Sequence, residues 1–290
     1  MNRRTFVKYV VAGATTHPWR SFAPVLAWGD EDEAICRQKF SLAVSLSLQK
    51  RPIQEVIIQM GISFLGTEYV AFALEVPGPE RLVVNMRGLD CVSFYENALV
   101  LARCIKKGTT TFQDYRDELK YIRYRGGVID GYPSRLHYTS DYFYDNEKKG
   151  VWTTIARQMG GKPFRKVINY MSTHPDQYRQ LRENPRNLEA IRKIEEEISA
   201  REMYFIPKTM VADLERDIES GDIIGITTDI EGLDVSHTAI VVRQSGGLHL
   251  LHAPSVGKRV EISEITLAEY LAKNKHHTGI MIVRPKEPMG

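Results

Sequence analysis

Several features that mark other classes of protein are missing from this sequence of 290 residues. Beyond the first thirty residues, no apolar run approaches the ~20 residues that a membrane-spanning helix needs, and no repeat of solenoid length occurs. The formal net charge is only +3, and the basic residues are interspersed with acids, which argues against nucleic-acid binding. No HExxH or comparable metal-ligand spacing occurs among the eight histidines. We therefore expect no membrane span, no nucleic-acid partner, and no metal or other cofactor.

The first 29 residues resemble an export signal. Residues 2–8 contain Arg3-Arg4 in a context similar to the twin-arginine motif. An apolar stretch follows, and residues 27–29 offer small side chains at the cleavage positions of a signal peptide. Residues 17–20 interrupt the apolar stretch, so an amphipathic N-terminal helix of a cytosolic protein is the alternative. We expect residues 1–29 to be a signal peptide, residues 30–290 to form a single domain, and the mature protein to be periplasmic or otherwise exported.

Cysteine is scarce, and its spacing argues for at least one free thiol. The three cysteines, Cys36, Cys91 and Cys104, form no CxxC pair, and their odd number leaves at least one unpaired. If Cys91 and Cys104 share a helix, thirteen steps of ~1.5 Å separate them by ~20 Å, which is beyond the reach of a disulfide. A free thiol in an exported protein suggests a chemical role.

The chain divides into a helical first part and a β-rich last part. Residues 31–60 have helical periodicity and are predicted to form two helices broken at Arg51-Pro52. A short strand is predicted at 81–85, and a solvated amphipathic helix at 187–202. After Gly221, β-branched runs predict a largely antiparallel sheet with one inserted helix at 267–273; the strands are expected at 222–228, 237–243, 248–253, 259–262 and 278–284. Helices first and sheet last indicate an α+β fold.

Cys91 is predicted to begin a buried helix. Apolar residues follow it at offsets 3, 4, 7, 8 and 11, the spacing of one helix face, and Asp90 stands where an N-cap would. A helix N-terminus lowers the pKa of a cysteine, and its free N–H groups can stabilise an oxyanion. Position alone also fits a small buried apolar residue, so a catalytic role for Cys91 requires a base.

Two late strands supply candidate bases. His237 lies near the start of one strand, and the returning strand carries His249 and His252 on opposite faces. If residues 245–246 form a two-residue turn, Ala239 pairs with His252. His252 then shares a face with His237, ~7–8 Å away between Cα atoms. A slip of one residue would select His249 instead. We favour His252 because its strand ends there, at the edge of a cleft.

Three segments of this sequence resemble a known family. They are residues 88–97, which read GLDCVSFYEN, residues 236–240, which read SHTAI, and residues 252–254, which read HAP. Together they are similar to the N-acetylmuramoyl-L-alanine amidase-like proteins, in the NlpC-type branch of the papain-like cysteine peptidases. The likeness extends over most of the chain after the leader, including residues 64–69 and 134–138. It implies a papain-like fold and cleavage of an amide in peptidoglycan, with Cys91 as nucleophile, His237 as base and His252 orienting His237.

Other polar residues are candidates for binding a substrate, namely Tyr69, Asp90, Arg135, His137, Tyr138 and Ser236. The cluster at 135–138 is suited to binding a carboxylate or sugar hydroxyls, although the same side chains could form a purely structural hydrogen-bond network. Glu96, close to the helix start, is interpreted as complementing the helix dipole.

Val92 points to the bond that is cut. Related endopeptidases usually carry Asp-Cys-Ser, whose serine is thought to help hold the free amine of the stem peptide. Valine cannot accept a hydrogen bond from an ammonium group, although Asp90 remains and Ser93 could substitute. We therefore expect cleavage between N-acetylmuramic acid and L-alanine, in peptidoglycan or muramyl-peptide fragments. A D-glutamyl-diaminopimelate endopeptidase and a non-catalytic murein-binding protein are the alternatives.

Overall fold

The computed structural model describes residues 30–289, so the predicted signal peptide at 1–29 lies outside the described residues. The chain begins with helix α1 (Asp30–Ser45) and helix α2 (Ile53–Ile62), separated by a 3-10 turn at Leu48–Lys50. Pro52 directly precedes α2 because its ring does not fit inside a helix. The predicted break at 51–52 is confirmed. No helix within 30–289 is long and apolar enough to cross a membrane.

The strand predicted at residues 81–85 is wrong. This segment is irregular, and two-residue strands form instead at β1 (Glu68–Tyr69) and β2 (Gly88–Leu89), which pair in parallel. Side chains, in place of a neighbouring strand, donate hydrogen bonds to backbone carbonyl groups of the irregular segment. Arg123 donates to the Val83 carbonyl, and Asn97 Nδ2 lies 3.2 Å from the Asn85 carbonyl oxygen. Buried carbonyl groups thus find partners without a ladder.

Helix α3 (Cys91–Lys107) is the central helix of the molecule. Every residue from Ser93 to Ile105 is buried, whereas the sequence pattern predicted a single buried face. The difference arises because α1, α2, the next helix and the sheet all pack around α3. Gly108 ends the helix at φ 74°, a conformation that glycine adopts without steric cost.

The middle of the chain is mostly helical. Its helices are α4 (Phe112–Arg123), α5 (Thr139–Lys148), α6 (Tyr170–Thr173), α7 (Arg179–Glu183) and α8 (Pro185–Ala200), and its strands are β3 (Trp152–Thr154) and β4 (Lys162–Pro163). Helix α8 corresponds to the amphipathic helix predicted at 187–202. It buries Ile191, Glu195 and Ile198 and leaves most of its other residues partly or fully exposed.

The last part of the chain forms an eight-stranded sheet with β3 and β4. Its remaining strands are β5 (Tyr204–Pro207), β6 (Ile223–Thr228), β7 (Val235–Gln244), β8 (Gly247–His252), β9 (Glu261–Ile262) and β10 (His277–Pro285), with helix α9 (Leu267–Lys273) before β10. The order is β4-β5-β10-β6-β7-β8-β9, with β3 also on β10. All of these pairs are antiparallel. The predicted α+β class with a largely antiparallel sheet is confirmed.

The two faces of the sheet are covered by different helices. Ile240 and Leu251 belong to the core around α3, whereas Ala239 and Leu250 belong to the core that contains residues of α9. Because side chains alternate along a strand, His237 and His252 point to the α9 side and Thr238 to the α3 side.

Candidate active site

Cys91 is the first residue of α3, and its position is set by a capping box. The Asp90 carboxylate accepts a hydrogen bond from the Ser93 N–H at 2.7 Å, and the Ser93 hydroxyl oxygen accepts one from the Asp90 N–H at 2.9 Å. This reciprocal arrangement satisfies two backbone donors of the first turn. The predicted N-cap role of Asp90 is confirmed, and the Asp90 carboxylate is occupied by this hydrogen bond to the helix.

A hydrogen bond ties the start of α3 to strand β7. Thr238 Oγ1 donates to the Cys91 carbonyl oxygen at 2.8 Å. Thr238 follows His237 in the chain, so the nucleophile and base predicted from the sequence lie on two elements that touch at this point.

The thiol of Cys91 is half-buried, whereas Cys36 and Cys104 are buried. Burial and, after it, the negative charge of Asp90 raise the pKa of Cys91 to about 11, against hydrogen bonds from Thr238 that lower it. The expectation that the helix N-terminus would lower this pKa is therefore wrong, because burial outweighs it. Cys91 is a neutral thiol at pH 7 and needs a base to become a nucleophile.

His237 and His252 meet as the predicted register requires. Ile240 pairs with Leu251, and the β7–β8 turn leaves residues 245–246 unpaired. The two imidazoles share a face, and His237 Nε2 lies 2.7 Å from His252 Nδ1. His249 points to the other face, where its Nδ1 lies 2.8 Å from the Ser263 carbonyl oxygen.

A β-bulge lies directly before His237. Ile226 pairs with His237 but Thr227 pairs with Val235, so Ser236 is an extra residue in β7. The Ser236 hydroxyl donates to the Ile226 carbonyl oxygen at 3.4 Å. Bulges change the direction of the neighbouring side chains and are frequent beside active sites. Ser236, predicted to bind substrate, thus also sets the path of the strand that carries His237.

Both imidazoles are neutral at pH 7. Burial lowers the pKa of His237 well below its usual value, and the nearby His252 and His277 lower it further. Burial lowers the pKa of His252 to about 4. A neutral imidazole has a lone pair, so the pair is able to accept a proton from a neutral thiol.

Tyr270, on α9, was not selected from the sequence. Its ring centroid lies 6.1 Å from that of His237, 5.5 Å from that of His252 and 5.8 Å from that of His277. Burial, followed by the charge of Cys91, raises its pKa to about 12. Tyr270 therefore borders the thiol and the histidine pair. No local pattern indicates this role, because it depends on where α9 packs on the sheet.

Tyr69, on β1, also lies near the thiol. It is half-buried, and burial, followed by the charges of Cys91 and Asp90, raises its pKa. The structure thus places Tyr69 near Asp90 and Cys91, and its role in substrate binding stays a prediction.

The residues at 135–138 are engaged inside the protein. Arg135 is buried in an ion pair with Glu75, and its Nε lies 3.5 Å from Glu80 Oε1. The other two residues have internal partners as well: His137 Nε2 lies 2.9 Å from the Tyr132 carbonyl oxygen, and the Tyr138 hydroxyl donates to Glu195 at 2.6 Å. The contacts agree with the structural alternative, in which these three side chains form a hydrogen-bond network inside the protein.

Glu96 forms a buried ion pair. Its Oε2 lies 2.5 Å from Arg123 Nη2, and the Tyr142 hydroxyl donates to its Oε1 at 3.0 Å. The interpretation of Glu96 as a partner of the helix dipole is therefore wrong, because a specific cation neutralises it. Within residues 30–289, no group of three or more His, Cys, Asp or Glu side chains is arranged to hold a metal ion.

Comparison with known proteins shows the family. The model of the AmiA-like, N-acetylmuramoyl-L-alanine amidase-like family matches residues 59–288, and the chain belongs to this family. A crystal structure of an N-acetylmuramoyl-L-alanine amidase from Bacteroides uniformis is 38% identical, with a TM-score of 0.77 over 81% of this chain and 99% of that chain. None of the curated proteins matches this chain.

Two further structures are similar to this one. A Bacteroides fragilis protein described as a candidate xylanase is 38% identical, with a TM-score of 0.73 over 78% of this chain and 99% of that chain. A Legionella pneumophila protein assigned to domain family 1460 is 21% identical, with a TM-score of 0.65 over 90% of this chain and 97% of that chain. At that identity, the likeness concerns the fold alone.

Proposed function

We propose that this protein is a cysteine-dependent N-acetylmuramoyl-L-alanine amidase of the NlpC-type, papain-like kind. It would hydrolyse the amide between N-acetylmuramic acid and the L-alanine of the peptidoglycan stem peptide. Family membership supports the amidase class. The observation that carries the mechanism is the contact of 2.7 Å between His237 on β7 and His252 on β8. Thr238, the residue after His237, donates to the Cys91 carbonyl oxygen, so β7 touches the start of α3.

The proposed reaction has two steps. His237 removes the thiol proton as Cys91 Sγ attacks the amide carbonyl carbon, and N–H groups at the start of α3 stabilise the oxyanion. The imidazolium then protonates the alanine nitrogen, the C–N bond breaks and a thioester remains. In the second step, His237 deprotonates a water that attacks the thioester carbon, and the C–S bond breaks. The imidazolium returns the proton to Cys91 Sγ, and the muramic acid leaves as a carboxylic acid that ionises in water. His237 Nε2 is occupied by His252, so its Nδ1 would exchange the protons.

The residues around Cys91 favour the amidase over the endopeptidase. An endopeptidase of this kind must hold a free ammonium group, and Val92 offers no acceptor. Ser93 is 1% exposed, and its hydroxyl is engaged with Asp90 in the capping box. Neither Ser93 nor Asp90 is therefore free to replace the missing serine. The bond to muramic acid requires no such acceptor, because its alanine nitrogen is acylated.

A muramyl tetrapeptide and the free tetrapeptide test the proposal together. The first contains the bond to muramic acid, and the second has the free L-alanine amine that an endopeptidase would require. Mass spectrometry should find free N-acetylmuramic acid and the intact stem peptide with the wild-type protein, and neither with Cys91→Ser. Cys36→Ala is the matched control, since it removes a buried thiol outside the site, and it should retain the activity. Full activity of Cys91→Ser would refute cysteine catalysis.

The other outcomes of the same experiment identify the alternatives. Release of a peptide that begins with diaminopimelate from the free tetrapeptide would indicate the endopeptidase. Binding of the tetrapeptide without any cleavage would indicate a murein-binding protein. Xylo-oligosaccharides should remain intact, since most glycosidases need two facing carboxyl groups and the Asp90 carboxylate is committed to α3.

We also propose that residues 1–29 direct export to the periplasm, where the protein meets peptidoglycan or its muramyl-peptide fragments. Replacing both Arg3 and Arg4 by lysine should keep a fused reporter inside the cell, because the twin-arginine receptor reads that pair. Export of the double variant at the wild-type level would contradict the proposal.

A further inference from the structure

One nitrogen of His252 has no partner. Its Nδ1 lies 2.7 Å from His237 Nε2, but its Nε2 has no hydrogen-bond partner within residues 30–289. The side chain is only 1% exposed. Buried polar atoms are nearly always hydrogen-bonded, so this nitrogen indicates an interaction that forms in another rotamer or another state of the site.

The proton on His252 decides whether His237 is a base. When His252 carries its proton on Nε2, its Nδ1 accepts from the Nε2–H of His237, and the Nδ1 of His237 keeps its lone pair. When His252 carries its proton on Nδ1, it donates to His237 Nε2, and the Nδ1 of His237 is protonated instead. Only the first arrangement leaves a base for Cys91.

Glu261 is the acid placed next to the unpartnered nitrogen. His252 and Glu261 are direct cross-strand partners in the β8–β9 pair, so their side chains share a face with Cβ atoms about 4.5–5.5 Å apart. Among the described residues, no hydrogen bond or ion pair involves the half-buried Glu261 carboxylate. Its charge raises the pKa of Tyr270, whose ring contacts that of His252.

A loop lies over this carboxylate. A Cβ atom added at Gly257 would be 2.8 Å from Glu261 Oε2, so the backbone of the loop between β8 and β9 approaches the carboxylate closely. Such a covered carboxylate interacts more strongly with a neighbouring imidazole than one in open water. The other titratable groups around His252 are His237 on β7 and Tyr270 on α9, and His277 on β10 lies next to these two.

We propose that Glu261 is a positioning residue of the active site. Rotation of its side chain brings a carboxylate oxygen to His252 Nε2, holds the proton on that nitrogen and keeps the Nδ1 of His237 available as the base. The chain would thus use a relay of Cys91, His237, His252 and Glu261. This inference rests on the proposed function, but its test requires no substrate.

Three variants of Glu261 separate its hydrogen bond to His252 from its negative charge, and a fourth variant is the control. Glu261→Leu removes both, Glu261→Asp keeps the charge but shortens its reach, and Glu261→Gln keeps an acceptor oxygen without the charge. Glu264→Gln is the matched control, because it removes an exposed carboxylate three residues away. Two measurements apply to each: the ¹⁵N NMR shifts of His252, which report its protonated nitrogen, and the rate of Cys91 alkylation by iodoacetamide, followed by mass spectrometry.

The expected results differ among the variants. The wild type and Glu264→Gln should show His252 protonated on Nε2. Glu261→Leu and Glu261→Asp should mix the tautomers and slow alkylation at pH 7 by about tenfold, the lower end of the effect seen when a carboxylate that orients a metal-binding histidine is lost. Glu261→Gln should keep the Nε2–H tautomer and alkylate within about threefold of the wild type. Should Glu261→Leu fail to fold, Glu261→Asp still decides the question.

The proposal is overturned if wild-type His252 is protonated on Nδ1, or if Glu261→Leu and Glu261→Asp match the wild type in both measurements. It is also overturned if Glu264→Gln slows alkylation as much as Glu261→Asp does. Alkylation does not involve the muramoyl-alanine bond. The alkylation result can therefore be interpreted even if the proposed amidase activity is refuted. The amidase assay can likewise be interpreted if the role of Glu261 is refuted.

Discussion

His237 Nε2 and His252 Nδ1 lie 2.7 Å apart across the β7–β8 pair. A hydrogen bond between two neutral imidazoles places one proton between them, so each ring determines which nitrogen of the other is free. Because burial keeps both rings neutral at pH 7, the pair provides a base that does not depend on a stable thiolate. This relationship leads to the first three predictions.

Truncating His252 should impair turnover more than binding. We expect His252→Ala to lower kcat about 100-fold at unchanged KM, since His237 loses the partner that orients it. His252→Asn should recover part of the loss, because its amide oxygen can accept from His237 Nε2–H. Steady-state kinetics on a muramyl peptide test this. Equal activity of the alanine variant and the wild type would mean that His252 plays no part.

Activity should be lost only in distinctly acidic solution. Protonation removes the lone pair that His237 needs, and the pKa values of His237 and His252 are lowered, the latter to about 4. We therefore expect kcat/KM to stay high at pH 6 and to fall as the pH approaches 4. The pair titrates as a coupled unit, so the measured midpoint belongs to the pair. A midpoint at or above pH 6.5 would contradict the neutral buried pair.

Folding stability should fall over the same acidic range. The pKa of His252 is about 4 in the folded protein and ~6.5 in the unfolded chain. The unfolded chain therefore binds more protons between these values, and stability rises with pH through that window. With the Glu261 side chain turned away from His252, a shift of this size corresponds to about 3 kcal/mol of unfolding free energy for the coupled histidine pair. This contribution is present above pH ~6.5 and lost toward pH ~4.

Urea denaturation at several pH values measures the effect, with His252→Asn as the control whose stability should depend less on pH. The same pH dependence in both proteins would assign the effect to other groups.

Asp90 should affect stability and thiol reactivity separately. Asp90→Ala removes the cap of α3 and should cost about 1 kcal/mol of unfolding free energy. Asp90→Asn keeps a good N-cap, and it removes a negative charge that raises the pKa of Cys91. We expect near wild-type stability and faster alkylation of Cys91 at pH 8 from the asparagine variant. Slower alkylation would show that the carboxylate activates the thiol.

Arg135 should be a structural residue. Arg135→Met leaves the carboxylates of Glu75 and Glu80 without their cation, and loss of one partner from a buried ion pair typically costs about 3–5 kcal/mol. Denaturation should show this loss, while KM of the folded fraction stays unchanged. The control is Arg157→Met, whose ion pair with Glu202 is exposed and should contribute little. A large rise in KM with unchanged stability would restore Arg135 as a substrate-binding residue.

Much of the candidate site could be predicted because it depends on short-range rules. The N-cap at Asp90 follows from residues within one helical turn. The facing of His237 and His252 follows from a two-residue turn that sets the register of adjacent strands. Both are decided by neighbours along the chain, where the backbone has few alternatives.

Sequence reasoning was not sufficient where a distant partner decided the outcome. Arg135 has the chemistry of a carboxylate ligand, but Glu75 and Glu80, some sixty residues earlier, occupy it. The lowered pKa predicted for Cys91 failed for a related reason, because packing around α3 removes water from the thiol. Charge and burial depend on every group nearby in space, and sequence spacing does not reveal these.

The sequence by itself determined the helical start and β-rich end of the chain, the cap of α3 and the hairpin that joins the two histidines, because each is settled by local backbone geometry and side-chain periodicity. Only the tertiary structure decided that α9 brings Tyr270 against both imidazoles and that β9 sets Glu261 opposite His252. Those contacts join segments separated by loops. They form only when burial of apolar surface stabilises one packing arrangement over the others.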